Sequence, residues 1–138
     1  MSELIPVLYV EDDDADVSLM EDAWEKAGLR NALYIVRDGQ EAMDFLSGQG
    51  LFVDRAVHPM PGLVLLNLKL PNIHGLHVLQ WIREQPSTRA LRVIVLSPFN
   101  DGRDLGAAKA LGITDYWLKS ADPGALMKMM SSLKTWLP

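Results

Sequence analysis

Short runs of Val, Ile and Leu alternate with amphipathic stretches along nearly the whole chain, and few architectures accept that order. The runs Ile5 to Val10, Ala32 to Val36, Leu63 to Leu66, Val93 to Leu96 and Thr114 to Leu118 show no strong polar alternation, which is expected of strands covered on both faces. Between them, apolar residues recur at helical spacing, as in Val17, Met20, Ala23, Trp24 and Ala27, with Gly28 placed for a left-handed cap. Further helices are predicted from about Gln40 to Leu46, Gly75 to Arg83 and Arg103 to Leu111. A last one starts with Asp122 as cap and Pro123 in its first turn. Its stripe of Leu126, Met130, Leu133 and Leu137 predicts a helix running to the chain end. Five β/α units of this kind form a parallel sheet with helices on both faces. The stretch Ser47 to Pro61, with Gly48, Gly50, Pro59 and Pro61, reads as a long surface loop.

At 138 residues one ordinary core is sufficient, burying roughly two thirds of the unfolded surface. Residues 1 to 138 are therefore read as one domain. No apolar run approaches the roughly 20 residues that a membrane span needs, and the start MSELIPVLYVEDDD lacks the basic segment of an export signal. With no cysteine there is no disulfide, thiolate ligand or Cys nucleophile, which suits a cytoplasmic location. The net charge of -5, without a concentrated Lys/Arg face, argues against nucleic acid as the partner. Protein partners are expected instead.

In an open parallel sheet, ligands bind beyond the carboxyl ends of the strands. Glu11, Asp12 and Asp13 follow the first strand, Asn67 ends the third, Ser97 ends the fourth and Lys119 ends the fifth. All fall on one edge. Acids beside an oxygen ligand suit Mg2+, a hard ion that keeps several waters, and a hydroxyl facing an ammonium suits a phosphoryl group. Taken singly, each has a plainer reading. The acids favour the positive end of a helix dipole at about even odds, Asn67 is a turn former, Ser97 a loop hydroxyl and Lys119 a surface lysine. Their convergence tips the balance toward function. His74 and His77, three apart, lack a third ligand and read as surface residues. Trp81 and Trp136 read as packing residues on helices.

The blocks VLYVEDDDADV, LVLLNLKLPNIHGLHVL, VIVLS and DYWLK resemble, in order, the signature blocks of response-regulator receiver domains. The long loop before the third strand and the ending KTWLP further resemble the single-domain regulators of phytochrome-type sensor kinases. The resemblance implies a flavodoxin-like, doubly wound α/β fold of strand order 2-1-3-4-5 with five helices. It implies a signalling module of two-component systems, not an enzyme, with a sensor histidine kinase as partner. By motif, Glu11 and Asp12 take the places of the Mg2+ ligands and Asn67 that of the phosphoacceptor aspartate. Ser97 and Lys119 match the phosphoryl contacts and Tyr116 the aromatic switch. The face of helix 4, strand 5 and helix 5, including Tyr116 and the region of Trp136, is the expected surface for kinase contact or a homodimer.

Three positions depart from that pattern. A neutral amide at Asn67 is too poor a nucleophile to form an acyl phosphate, and its missing charge weakens Mg2+ binding. Lys69, two residues on, is expected to approach the acids instead. Pro98 has no backbone N–H to offer a phosphoryl oxygen, and Ser120 stands where the family usually has proline. Three departures in one site favour natural loss of phosphorylation, about two to one, over an ordinary regulator carrying an introduced Asp-to-Asn change. A haloacid-dehalogenase phosphatase would use Asp12 and Asp14 as its D-x-D pair but lacks chain for a cap. A flavin carrier would want a glycine-rich loop where this chain has acids.

Overall fold

Each of the five apolar runs forms a parallel strand in the computed structural model, which describes residues 4–98, 102–120, 122–134 and 137. The elements run β1 (Val7–Val10), α1 (Asp14–Lys26), β2 (Leu33–Val36), α2 (Gly39–Ser47), β3 (Leu63–Asn67), α3 (Gly75–Glu84), β4 (Arg92–Ser97), α4 (Gly102–Ala110), β5 (Asp115–Leu118) and α5 (Pro123–Leu133). The sheet order is β2-β1-β3-β4-β5, as the resemblance implies. Val7 pairs with Leu33 on one side and Leu63 on the other, Leu63 with Arg92, and Ile94 with Asp115. This register brings the ends of β1, β3, β4 and β5 to one edge.

Side chains alternate across a strand, so the sheet feeds two cores. Val7, Tyr9, Leu63, Leu65, Ile94 and Leu96 face α1 and α5, packing on Met20, Trp24, Leu126, Met130 and Leu133. Leu8, Val10, Val64, Leu66, Val93 and Val95 face the other way, onto Phe45, Leu46, Val78, Leu79, Ile82 and Ala108. Both faces being covered explains the lack of polar alternation. At about 1.5–3 kcal/mol for each large apolar side chain removed from water, these two layers are the main source of stability.

The capping chemistry follows the sequence closely. Asp13 caps α1 by accepting from the Asp16 N–H at 3.0 Å, Asp122 caps α5 through Ala125, and Gly28 is left-handed at φ 72°. Most boundaries shift by a single residue, and three readings differ by more. Strand β1 starts at Val7, two residues late, and the preceding Pro6 has no N–H for a ladder, giving only its carbonyl to Gly62. Helix α5 stops at Leu133 short of the chain end, its last turn tightened by an N–H of Lys134 to the carbonyl of Ser131, although Leu137 is still buried. The Ser47–Pro61 stretch is irregular but anchored, with a 3-10 turn over Gly50–Phe52. Arg55 donates to the carbonyls of Phe45, Leu46 and His58 at 2.7, 2.9 and 3.0 Å. Phe52 packs its ring on Phe45 and His58 at 5.0 and 5.1 Å. Trp81 packs against the α3 core layer; Trp136 lies outside the described residues.

Helix α3 begins hard against the edge where the candidate residues gather. A Cβ on Gly75 would lie 2.6 Å from both the Asn67 carbonyl oxygen and the Leu68 Cα, and the Gly75 N–H donates to the Leu68 carbonyl at 2.8 Å. Glycine is needed there because backbone meets backbone. Gly75→Ala should therefore destabilise the protein by about 1–3 kcal/mol, measured by urea unfolding. Unchanged stability would mean that the α3 start is not seated as tightly as this contact requires.

Candidate functional site

Glu11 sits immediately after β1, where its backbone N–H still pairs with Val36 at 3.0 Å, and its side chain is fully buried. A carboxylate out of water costs several kcal/mol unless its oxygens are satisfied. Here they are. Oε1 accepts from the Tyr9 hydroxyl at 3.1 Å and lies 2.5 Å from Lys119 Nζ. Oε2 accepts from Asn67 Nδ2 at 3.1 Å and from the Asp13 N–H at 3.2 Å.

Asn67 ends β3, is buried, and spends its whole amide group locally. Nδ2 also donates to the Lys69 carbonyl at 3.1 Å, while Oδ1 accepts from the Lys69 N–H at 3.3 Å. The carboxylate neighbour dictates this orientation, because the flipped amide would set oxygen against oxygen. Ser97 is buried at the end of β4, and its carbonyl takes the Lys119 N–H at 2.7 Å. Lys119 Nζ, besides Glu11, reaches Asp16 Oδ2 at 2.7 Å. These two carboxylates outweigh the cost of burial and hold the ammonium above its ordinary pKa. Burial pushes the Glu11 carboxyl up, and Lys119 pulls it back toward the charged form. Burial beside the Glu11 charge pushes the Tyr9 phenol far up, so it stays a donor.

Four of the predicted residues, Glu11, Asn67, Ser97 and Lys119, thus meet at one edge. Asp12 follows Glu11 in the chain but is exposed. Pro98 is exposed beyond Ser97, and the Ser120 hydroxyl accepts from the Asp122 N–H at 3.1 Å. Tyr116 is half-buried on β5, lining a groove of about 350 Å³ with Leu105, Lys109 and Ile113. The expectation that Lys69 approaches the acids is corrected: its ammonium lies 3.8 Å from Asp104 on α4, while only its backbone joins the site. His74 is no ligand but the N-cap of α3, accepting the Leu76 N–H on Nδ1 at 3.1 Å; His77 is exposed. Two participants were missed from sequence. Tyr9 lies within a predicted strand, and nothing in the spacing of the motifs marks Asp16.

For a hard cation the donor set fits only in part. Among the described residues no three His, Cys, Asp or Glu side chains gather to hold a metal ion. Asp12 is open to water, but each Glu11 oxygen already has two donors. A cation reaching Glu11 must compete with these donors.

Residues 7–131 match the response regulator receiver domain family. The chain belongs to that family. This match accounts for the order of blocks that the dehalogenase and flavin-carrier readings do not. Among curated relatives, the response regulator Rcp1 of Synechocystis sp. is 34% identical over 132 residues, covering 95% of this chain and 88% of Rcp1. The phosphorylated cyanobacterial phytochrome response regulator RcpA superposes with a TM-score of 0.88 at 29% identity, covering 98% of this chain and 94% of RcpA. The Mn2+-bound form of Rcp1 superposes with a TM-score of 0.84 at 32% identity, covering 97% of this chain and 99% of that one. This receiver is therefore similar to phytochrome response regulators in sequence and in fold. No helix among the described residues is long and apolar enough to cross a membrane.

Burial lowers the His74 pKa below its ordinary 6.5, so the unfolded chain takes up this proton at a higher pH than the folded one. Stability should then fall as the pH drops from about 6.5 through the lower folded value, and be unaffected by this group above it. His74→Asn keeps a capping side chain without the titration. Between roughly pH 7.5 and pH 5.5 its Tm should fall less than that of the wild type. Equal falls would place the acid sensitivity elsewhere.

Proposed function

We propose that this receiver domain, spanning residues 1–138, takes no phosphoryl group and signals in a fixed state by presenting a surface to a sensor histidine kinase or another signalling protein. The supporting observation is the amide of Asn67. At the position that the motif assigns to the phosphoacceptor, Nδ2 donates to Glu11 and to the Lys69 carbonyl. The amide thus supplies the bridge between β1 and β3 that a cation would supply between two carboxylates. A side-chain amide does not attack phosphorus as a carboxylate does, Pro98 has no N–H to offer a phosphoryl oxygen, and Ser97 and Lys119 remain as the phosphoryl-contact equivalents. A two-state protein moves only when a ligand prefers one state, so with no phosphoryl group the position of Tyr116, the switch equivalent, is set by its surroundings within the chain. Glu11 and Asp12 are the residues that would hold Mg2+, with affinity lowered by the missing charge and by the donors already on Glu11. An ordinary regulator carrying an introduced Asp-to-Asn change is the second reading, and Pro98 and Ser120 weigh against it.

Asn67→Asp tests this. It sets a carboxylate oxygen against Glu11 and against the Lys69 carbonyl, so without metal it should lower stability by about 2–3 kcal/mol. Mg2+ should recover much of that loss, whereas it should stabilise the wild type little. Acetyl phosphate with Mg2+ should leave the wild type unmodified by mass and phosphorylate the variant partly. A phosphoryl adduct on the wild type would end this reading, and full, stable modification of Asn67→Asp would favour the second.

The interaction surface is assigned to α4, β5 and α5, where Tyr116 lines the groove beside Leu105 and Ile113 and Leu118 is exposed. Tyr116→Ala should weaken self-association or kinase binding, read by sedimentation and by titration calorimetry with the kinase. Indifference of both would remove this face from the proposal.

A further inference from the structure

Lys119 is gripped by acids from two different elements, and only one of them belongs to the metal-ligand pair. Its ammonium lies 2.5 Å from Glu11 Oε1 and 2.7 Å from Asp16 Oδ2, with a side chain only 17% exposed. Glu11 cannot follow the lysine elsewhere, because Tyr9, Asn67 and the Asp13 N–H hold its two oxygens. Asp16 cannot follow it either. It stands in the first turn of α1, and its N–H is tied to the Asp13 cap. Beneath the ammonium, Tyr9, Leu19, Met20, Leu96 and Leu126 leave a gap of about 10 Å³, the size of one water at most. From this side solvent has little room to replace either carboxylate.

From this geometry we infer that Asp16 is a positioning residue that holds the Lys119 ammonium on the α1 side of the edge and withholds it from position 67. An ammonium has three donors, and two are spent on carboxylates anchored by β1 and α1. One donor is left, but with both carboxylates anchored Nζ cannot shift toward a group bound at position 67 without lengthening its bond to Asp16. Glu11 serves the whole edge, whereas the Asp16 carboxylate serves the lysine, so Asp16 is the acid whose removal frees it. The holding of Lys119 stands on the distances alone. Its consequence for phosphoryl chemistry rests on the proposed function above.

The first measurement uses the chain with Asn67 in place. Wild type, Asp16→Asn and Asp16→Glu are treated with an amine-acylating reagent, and labelling of Lys119 is followed by peptide mass, with exposed Lys128 as internal reference. Asp16→Asn should raise the relative labelling rate of Lys119 about tenfold, the lower end of what loss of one charged hydrogen bond allows. Asp16→Glu, which can still reach, should stay near wild type. An unchanged Lys119 rate in Asp16→Asn, or an equal rise in Asp16→Glu, overturns the inference.

The second measurement adds Asn67→Asp to each variant and supplies acetyl phosphate with Mg2+. The Asp carboxylate oxygen attacks phosphorus, the bond from phosphorus to the acetate oxygen breaks, and acetate leaves. Asn67→Asp with Asp16→Asn should form or retain several-fold more acyl phosphate than Asn67→Asp alone, whereas a merely structural loss would lower the yield. If labelling rises but the adduct does not, Asp16 does hold the lysine, and it is the phosphoryl-contact role of Lys119 that fails.

Discussion

The buried carboxylate of Glu11 is the constraint around which this edge of the molecule is organised. Leaving it unpaired would cost several kcal/mol, and the fold meets that demand with four donors from separate places. Tyr9 comes from the same strand, the Asp13 N–H from the turn into α1, Asn67 from the end of β3, and Lys119 from beyond β5. One charge thereby ties together the ends of three strands. Their parallel register, with Val10 opposite Leu66 and Ser97 opposite Leu118, makes those ends coincide.

The same arrangement bears on signalling. In this receiver domain a neutral amide pairs with the buried Glu11 and the lysine is shared between two carboxylates, so the buried polar groups of the edge find their partners within the chain. A ligand shifts a conformational equilibrium only through differential affinity, and at this edge it would compete with the partners that Glu11 and Lys119 already have. The sheet and its two apolar layers form a rigid platform behind the edge. Gly75, seated against the Asn67 and Leu68 backbone, fixes α3 relative to the site. The frame is the one this chain has in common with the phytochrome response regulator RcpA, and the proposed loss of phosphorylation rests on a small set of side chains set upon it.

Much of the frame was legible in the residues. Doubly covered strands leave continuous Val, Ile and Leu runs, and caps such as Asp13, Gly28 and Asp122 act within a few residues of where they stand. The element order therefore followed from local chemistry. Errors came where a distant partner decides. Strand β1 was read two residues too early across Pro6. The Ser47–Pro61 stretch looked like plain loop because its anchor, Arg55, works by reaching carbonyls of α2 that lie about ten positions back. The reach of α5 was overestimated because Leu137 keeps the helical stripe and is buried outside the helix.

At the site, sequence by itself determined which residue types could meet: acids after β1, an amide after β3, a hydroxyl after β4 and a lysine after β5, all at carboxyl ends of parallel strands. It also determined what is missing, since no fold can give Pro98 an N–H or Asn67 a carboxylate. Only the tertiary structure decided who pairs with whom. Lys69 turned away to Asp104, Asp12 stayed in water while Glu11 was buried, and Asp16 and Tyr9 joined from α1 and β1. The reason is physical. Pairing energy depends on burial and on distances of about 3 Å, and these are set when α1 packs against the sheet and β5 pairs with β4, not by spacing along the chain.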